Sequence, residues 1–202
     1  AYEIMPSLVG SEMCIRDSPY SIAIPKIESA DECRTFLKDL GTDILILPQI
    51  ETPRGIATIE SWDCSNIEFS GIGFGSADYC ASTGGYMGKA SLAYGRGKII
   101  NAAALYNTLA LDGVWLDFRD PDGCREETLY VKTMGFKGRF AIHPDQIKPI
   151  HDAYRPTTEE LEWAKGVLEE AKTAGSGAFK YQGKMVDAPV LAVARLIISR
   201  EV

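Results

Sequence analysis

The stretch Ser21–Gly55, SIAIPKIESADECRTFLKDLGTDILILPQIETPRG, decides the fold. Its first segment, Ser21–Glu28, is apolar and rich in β-formers, and Asp43–Ile50 is a continuous apolar run typical of a strand buried on both faces. Between them, Ser29–Leu40 has apolar residues at helical spacing, begins with a Ser-x-x-Glu capping box and ends before Gly41. Strand, helix and strand in this order predict a βαβ unit and therefore a parallel sheet.

The same alternation continues beyond this unit. We predict strands at Ile67–Phe74, Gly113–Phe118 and Arg139–Ile142, and helices from Thr52, over Ser91–Leu109 and over Pro121–Met134. The five predicted strands are too few to close a (β/α)₈ barrel, which takes ~250 residues. An open, doubly wound sheet is the alternative, but no GxGxxG or GxxxxGKS/T motif follows any predicted strand.

The pattern changes after Pro144. Thr157–Ala174 reads as an amphipathic helix with a threonine cap, and Val190–Ser199 as a short apolar helix. The segment between them, SGAFKYQGKMVDAP, is rich in turn residues. We therefore predict a barrel-like unit over residues 19–155 and a C-terminal helical extension over residues 156–202.

Composition excludes several classes of protein. With 21 Lys and Arg against 28 Asp and Glu, the net charge is -7, which argues against binding nucleic acid or an anionic membrane surface. The longest apolar runs are far shorter than the ~20 residues of a membrane-spanning helix. The five cysteines are odd in number and form no CxxC pair, so we predict reduced thiols in a cytoplasmic protein.

Polar side chains lie at the carboxyl ends of three of the predicted strands, at the edge where parallel sheets place their active sites. They are Lys26, Glu28, Gln49, Glu51 and Asp78. Glu51 and Asp78 are one βα unit apart, so they should project from neighbouring strands toward one point. Two carboxylates with no thiol or imidazole nearby suit Mg²⁺, although each could instead cap the helix that follows it.

Seven motifs follow one another along the chain: IPKIES, IETPRG, FGSADYCAS, YGRGKIINAAA, DGVWLDFRDPDG, GFKGRFAIHPDQI and GKMVDAPV. In this order they resemble the citrate lyase β-subunit-like enzymes, which include the malyl-CoA lyases, within the HpcH/HpaI aldolase/citrate lyase superfamily. The resemblance covers roughly residues 21–202 and implies an α/β fold, a partial TIM barrel made of about the last five βα units. It also implies cleavage or formation of a C–C bond between an acyl-CoA and a 2-oxoacid such as glyoxylate or pyruvate.

The resemblance also assigns site residues. It implies that Glu51 and Asp78 bind Mg²⁺, with Mn²⁺ as the alternative ion. The expected substrate-binding residues are Gln49, Gly75, Ser76 and Ala77, with Lys26 and Glu28 as supporting residues. Asp187 matches an aspartate that acts as general acid/base in the active site of the adjacent subunit, which implies a homo-oligomer, a trimer or hexamer. Asp187 could instead simply initiate a turn before Ala-Pro.

Other charged residues carry weaker expectations. We expect His143 to be a hydrogen-bonded structural imidazole, and Asp117 and Asp120, which flank Arg119, to serve local ion pairing or turn chemistry. Arg96 and Lys98 could meet CoA phosphates, although a solvated helix face fits them better.

The chain departs from the family pattern in two ways. Residues 1–18, which include MPSLVGSEMCIRDS, have no periodicity and are predicted to be a non-native or disordered leader. The chain joins the family pattern at what would be the fourth strand of the family. The resemblance therefore implies that the arginine that contacts the oxoacid is not among these residues, and we expect the chain alone to be a poor catalyst. Gln49 matches the CoA-independent hydroxy-oxoacid aldolases, which makes that activity the alternative. A non-catalytic acyl-CoA-binding or scaffold subunit is a further alternative, and an organellar matrix is left open as the location.

Overall fold

The computed structural model describes residues 21–40, 44–174 and 177–201, so the predicted leader lies outside the described residues. These residues form a parallel sheet in which five strands lie in chain order. The strands are β1 Ser21–Ile24, β2 Leu45–Ile50, β3 Ile72–Phe74, β4 Ala110–Asp112 and β5 Gly138–Arg139. Consecutive order is barrel-like, because a doubly wound sheet reverses its order at a switch point. The predicted α/β fold is confirmed.

Helices connect the strands and cover the sheet. They are α1 Ala30–Leu40, α2 Pro53–Thr58, α3 Ser76–Thr83, α4 Lys89–Leu105, α5 Pro121–Met134 and α6 Ile147–Tyr154. The core is apolar: Ile46, Ile50 and Phe74 from the strands and Ile99 from α4 are fully buried. Burial of this kind contributes about 1.5–3 kcal/mol for each large side chain. The core thus fixes the carboxyl ends of the strands, where the polar residues lie.

The fourth strand is the clearest error of the prediction. The apolar run Gly113–Phe118 was expected to be a strand, but β4 is the preceding Ala110–Asp112 and the run is a loop. Within it, Leu116 and Phe118 are exposed. Asp112, which a sequence pattern places in a loop, is fully buried.

The predicted C-terminal helices are confirmed as α7 Thr158–Ala174 and α8 Ala188–Ile198. The turn-rich segment between them contains an unpredicted antiparallel hairpin, β6 Phe179–Tyr181 and β7 Lys184–Val186. Its two-residue turn, Gln182–Gly183, has positive φ at both positions, 45° and 79°, as a type I′ turn requires. The two helices and the hairpin enclose a small core of their own: Ala164, Val167, Val186 and Ala194.

Two predictions about the chain as a whole can be compared with the described residues. None of their helices is long and apolar enough to cross a membrane. The four described cysteines, Cys33, Cys64, Cys80 and Cys124, form no disulfide with one another, while Cys14 lies outside the described residues.

Candidate active site at the carboxyl edge of the sheet

A cavity of about 240 Å³ opens at the carboxyl ends of β2, β3 and β4. Its lining residues are Gln49, Glu51, Phe74, Gly75, Ser76, Ala77, Asp78, Gly113, Val114 and Phe140. Both predicted metal ligands and all four predicted substrate-binding residues are in this set. The strand ends bring them together because β2 and β3 are hydrogen-bonded neighbours, with Gln49 beside Gly73 and Ile50 beside Phe74.

Glu51 directly follows β2 and is only 8% exposed. One carboxylate oxygen, Oε1, accepts a hydrogen bond of 3.0 Å from the main-chain N–H of Lys26. Burial raises the pKa of Glu51, and the negative charge of Asp78 raises it further, whereas the N–H and charge of Lys26 act in the opposite direction. The pair of acids is therefore incompletely neutralised by the described residues.

Asp78 lies in the first turn of α3, with its side chain 55% exposed. The ammonium of Lys26 is 3.8 Å from its Oδ1. Lys26 therefore contacts both acids, one through its main chain and the other through its side chain. It does so from a left-handed backbone conformation with φ of 55°, which is uncommon for a residue with a Cβ.

At three positions of the site, a glycine leaves room for a polar side chain from a neighbouring segment. A Cβ on Gly75 would overlap Glu51 Oε2, and a Cβ on Gly73 would be 2.5 Å from Gln49 Oε1. A Cβ on Gly113 would overlap Ser76 Oγ and come within 2.9 Å of the carbonyl of Phe74. Any side chain at these positions would displace a site residue, so glycine is required by close approach here.

The N-terminus of α3 faces the same cavity. Its N-cap is Gly75, which has no side chain to accept from the first turn, and the N–H of Gly75 itself donates to the carbonyl of Ile50 at 3.0 Å. The N–H groups of Ser76 and Ala77 therefore lie at an uncapped helix end, which favours anions. Ser76 Oγ is buried and has no hydrogen-bond partner among the described residues.

The donor set fits Mg²⁺. Mg²⁺ binds one or two carboxylates and takes its remaining ligands from water and substrate oxygens. No group of three or more His, Cys, Asp or Glu with metal-binding geometry occurs in the part of the chain that the structure describes. Glu51 and Asp78 would supply the two carboxylates of a Mg²⁺ site.

Other predicted residues lie outside the cavity. Glu28 accepts a 2.6 Å hydrogen bond from Thr52 Oγ1, and Thr52 caps α2 directly after Glu51, so Glu28 supports the end of β2. Asp187 caps α8 by accepting from the N–H of Val190 at 3.3 Å and does not line the cavity of its own chain. His143 accepts from the N–H of Asp145, as expected of a structural imidazole.

The turn roles of Asp117 and Asp120 are confirmed. Asp117 accepts from the N–H of Arg119, and Asp120 caps α5 by accepting from the N–H of Gly123. The solvated helix face expected for Arg96 and Lys98 is wrong for Arg96, which is 1% exposed and pairs with Asp112. Lys98 is half-buried and pairs with Glu60 at the surface of α4, so the expectation is not contradicted for Lys98.

The order of the strands and the two carboxylates at their carboxyl edge define a class, an α/β protein of the TIM-barrel type with paired acids where such folds place their active sites. Comparison with family models supports this class. Residues 9–144 match the model of the HpcH/HpaI aldolase/citrate lyases, and residues 97–201 match that of the C–C bond lyases of the TIM-barrel fold. The chain belongs to the HpcH/HpaI aldolase/citrate lyase family.

Curated relatives and solved structures agree with this assignment. Mitochondrial citramalyl-CoA lyase of Mus musculus is 30% identical over 203 residues, which cover 90% of this chain and 60% of the relative. A citrate lyase subunit beta-like protein of Deinococcus radiodurans is 32% identical over 192 residues, covering 89% and 66%. The structure of CitE from Mycobacterium tuberculosis with magnesium, acetoacetate and coenzyme A has a TM-score of 0.76 at 32% identity, covering 90% and 68%. The chain thus spans about 60% of the first of these relatives.

Proposed function

We propose that the protein is a Mg²⁺-dependent carbon–carbon lyase that cleaves or forms a 3-hydroxyacyl-CoA, such as malyl-CoA or citramalyl-CoA, with an acyl-CoA and a 2-oxoacid as the other reactants. The observation that carries the proposal is the pair Glu51 and Asp78 in one cavity with a single lysine between them. Such a pair leaves a net negative charge that a divalent cation would neutralise.

Each residue of the cavity would have a separate role in the reaction. Bound Mg²⁺ would supply Lewis acidity at the oxygens of the oxoacid. Glu51 and Asp78 would hold the ion, and Lys26 would orient Glu51 through its main-chain N–H. The uncapped N–H groups of Ser76 and Ala77 would orient the oxoacid carboxylate, and Gln49 would donate from the cavity wall.

The relatives support the nature of the reactants. The CitE structures from Mycobacterium tuberculosis contain magnesium together with pyruvate, acetoacetate or coenzyme A. The citramalyl-CoA lyases carry the CoA ester in their name. For this chain we infer the same chemical classes, a 2-oxoacid on the metal and a CoA thioester beside it, with Mn²⁺ as the alternative ion.

Asp187 enters the proposal as a residue that acts in trans. Because it lies in the C-terminal unit and does not line its own chain's cavity, a second copy would have to supply it as general acid/base. This requires a homo-oligomer, for which we propose a trimer or hexamer. We retain the division into units 19–155 and 156–202, and the cytoplasm or an organellar matrix as the location.

One observation favours a second candidate, the CoA-independent cleavage of a free hydroxy-oxoacid. Gln49 lines the cavity beside Glu51, and its amide occupies the space that Gly73 leaves open. This position is where the sequence resembles the aldolase branch. A purely structural scaffold subunit is disfavoured, because a scaffold has no need of two incompletely neutralised acids at one cavity.

Titration calorimetry with MgCl₂ tests the metal site. We expect the protein to bind Mg²⁺ and the Glu51→Gln variant to bind it at least about tenfold more weakly, without a loss of stability, because the variant removes repulsion between two acids. Glu126→Gln, which changes an exposed glutamate of α5, is the matched control and should bind normally. Absence of binding to the unaltered protein would overturn the proposal.

Product analysis tests the substrate class. The protein would be incubated with Mg²⁺ and malyl-CoA, citramalyl-CoA, β-methylmalyl-CoA or a free hydroxy-oxoacid, and the released oxoacid measured. Release from a CoA ester supports the first candidate. Release from the free acid alone would replace it with the second candidate.

A further inference from the structure

A second cluster of charges lies behind the cavity, at the ends of β4 and β5. Asp112 is fully buried and accepts hydrogen bonds from two guanidinium groups. Arg96 donates to it through Nε and Nη2, both at 3.1 Å, and also pairs with Glu127 at 2.7 Å. Arg139 donates through Nη2 at 3.2 Å. The side chains of both arginines are nearly inaccessible to solvent, so this cluster is part of the protein interior.

The two arginines differ in what else they contact. Arg139 donates from Nε to the carbonyl of Gly113 at 3.1 Å and from Nη1 to Thr128 Oγ1 at 3.2 Å. Its guanidinium thus binds both Asp112 and the next residue of the chain, with α5 as a third support. Arg96 has no such contact with Gly113, and its Nη1 has no partner among the described residues.

Gly113 is also a wall of the candidate active site. It lines the cavity, and its Cα is so close to Ser76 that a Cβ there would overlap Ser76 Oγ. Phe140, which directly follows Arg139 in the chain, lines the same cavity and donates its N–H to the carbonyl of Asp112 at 3.1 Å. A shift of the chain at Gly113 would therefore move the start of α3, which carries Asp78.

We propose that Arg139 is a positioning residue for the metal site. By binding Asp112 and the carbonyl of Gly113 at once, it fixes the turn after β4 against Ser76 and so sets where α3 presents Asp78 to Glu51. The role depends on the planar fork of arginine, because a lysine ammonium cannot hold Asp112, Gly113 and Thr128 together with the same geometry. This inference rests on the proposed function in one respect, since it assumes that Glu51 and Asp78 bind Mg²⁺.

If this network only stabilised the fold, replacing Arg96 or Arg139 would have the same effect on Mg²⁺ binding. Both pair with Asp112, both are buried, and loss of either would leave Asp112 with one guanidinium. Arg139 alone reaches the cavity wall. The comparison of Arg139→Lys with Arg96→Lys therefore separates positioning from general stabilisation.

The experiment measures Mg²⁺ affinity by calorimetry, alongside urea unfolding, for the full chain and both variants. We expect Arg139→Lys to weaken Mg²⁺ binding about tenfold and Arg96→Lys to change it by less than about twofold, although both lower the unfolding midpoint. Equal weakening by the two variants, or normal binding to Arg139→Lys, would overturn the positioning role. If the unaltered protein binds no Mg²⁺, the proposed function fails first and takes this role with it.

A milder variant covers the case in which Arg139→Lys does not fold. Thr128→Val keeps the shape of a buried side chain but removes the hydroxyl that accepts from Arg139 Nη1 and donates to the carbonyl of Cys124 within α5. We expect it to weaken Mg²⁺ binding about threefold, the loss of one supporting hydrogen bond. Thr133→Val is the matched control: it removes an exposed hydroxyl of the same helix and should leave binding unchanged. Unchanged binding in Thr128→Val would count against the proposal.

Discussion

The protein holds acidic side chains in two clusters that differ in how their charge is balanced. Asp112 lies between two guanidinium groups and accepts three hydrogen bonds from them. Glu51 and Asp78 share one partly exposed lysine, whose ammonium is 3.8 Å from one acid and whose main-chain N–H binds the other. Desolvation and mutual repulsion raise the pKa of Glu51.

The difference separates a structural role from a functional one. A buried acid with full compensation can hold elements together and has no further need of a ligand. A pair with partial compensation is unfavourable by itself, and it becomes favourable when a cation arrives. The same chain thus supplies a control for the proposed metal site. Both clusters meet at Gly113, which contacts Ser76 on one side and Arg139 on the other.

The largest effect is expected from removing the compensated acid. Asp112→Asn would leave Arg96 and Arg139 buried with too little counter-charge, and we expect a loss of about 3 to 5 kcal/mol in the free energy of unfolding. Urea unfolding followed by circular dichroism measures it. Asp117→Asn, at an exposed position in the loop after β4, should change the same quantity by less than about 0.5 kcal/mol. A loss below about 1 kcal/mol in Asp112→Asn would refute the view that this cluster is tightly compensated.

The sequence predicted most of the fold where the signals are local. Helix α5 was predicted at its observed bounds, Pro121–Met134, because an Asp-Pro start and a Gly stop are visible in the sequence. Helix α7 begins at a reciprocal capping box in which Thr157 and Glu160 bind each other's main-chain N–H. Such features need only neighbours along the chain.

The errors of the prediction occur where the local structure depends on residues that are far apart in the sequence. The strand β4 ends in Asp112, whose partners Arg96 and Arg139 are 16 and 27 residues away, so nothing local indicates that this acid is buried. For the same reason Arg96 was taken for a solvated residue. The hairpin β6–β7 was missed because its strands are three residues long and its turn is Gln-Gly, a weaker signal than Asn-Gly.

The site itself was predicted because parallel strands end at one edge. Glu51, Asp78, Gln49 and the Gly75–Ala77 segment all line the cavity, as expected of residues at or just beyond the carboxyl ends of β2 and β3. The sequence pattern does not show where a neighbouring chain would lie, so the role of Asp187 in trans remains a proposal. The sequence pattern also does not predict that the main-chain N–H of Lys26 binds Glu51, because this hydrogen bond depends on the positive φ of Lys26.

The contact between the clusters gives an intermediate effect. Gly113→Ala would push a methyl group into Ser76 and against the carbonyl of Phe74, which we expect to cost about 1 to 3 kcal/mol in stability and to weaken Mg²⁺ binding. The added change Ser76→Gly would remove the colliding Oγ and Cβ and should restore part of the stability. Thermal unfolding and calorimetry measure both quantities.

A glycine with free space is the control for this prediction. A Cβ on Gly97, within α4, would meet nothing within 4 Å, so Gly97→Ala should stabilise the protein by about 0.5 to 1 kcal/mol. If Gly113→Ala stabilised the protein as Gly97→Ala does, the two clusters would not be in close contact at Gly113.

The smallest effect concerns the single lysine of the uncompensated pair. Lys26→Gly and Lys26→Met both remove the ammonium beside Asp78, and because that ammonium repels a cation at the same place, we expect both to tighten Mg²⁺ binding by about threefold at low salt. The gain should shrink as ionic strength rises. Glycine adopts positive φ without a steric cost and keeps the N–H that binds Glu51, so only Lys26→Gly should also keep or slightly raise the stability. Weaker Mg²⁺ binding in both variants would instead mean that the ammonium of Lys26 keeps Glu51 and Asp78 in position to bind the ion. The two clusters would then differ less in how their charge is compensated than the charges alone indicate.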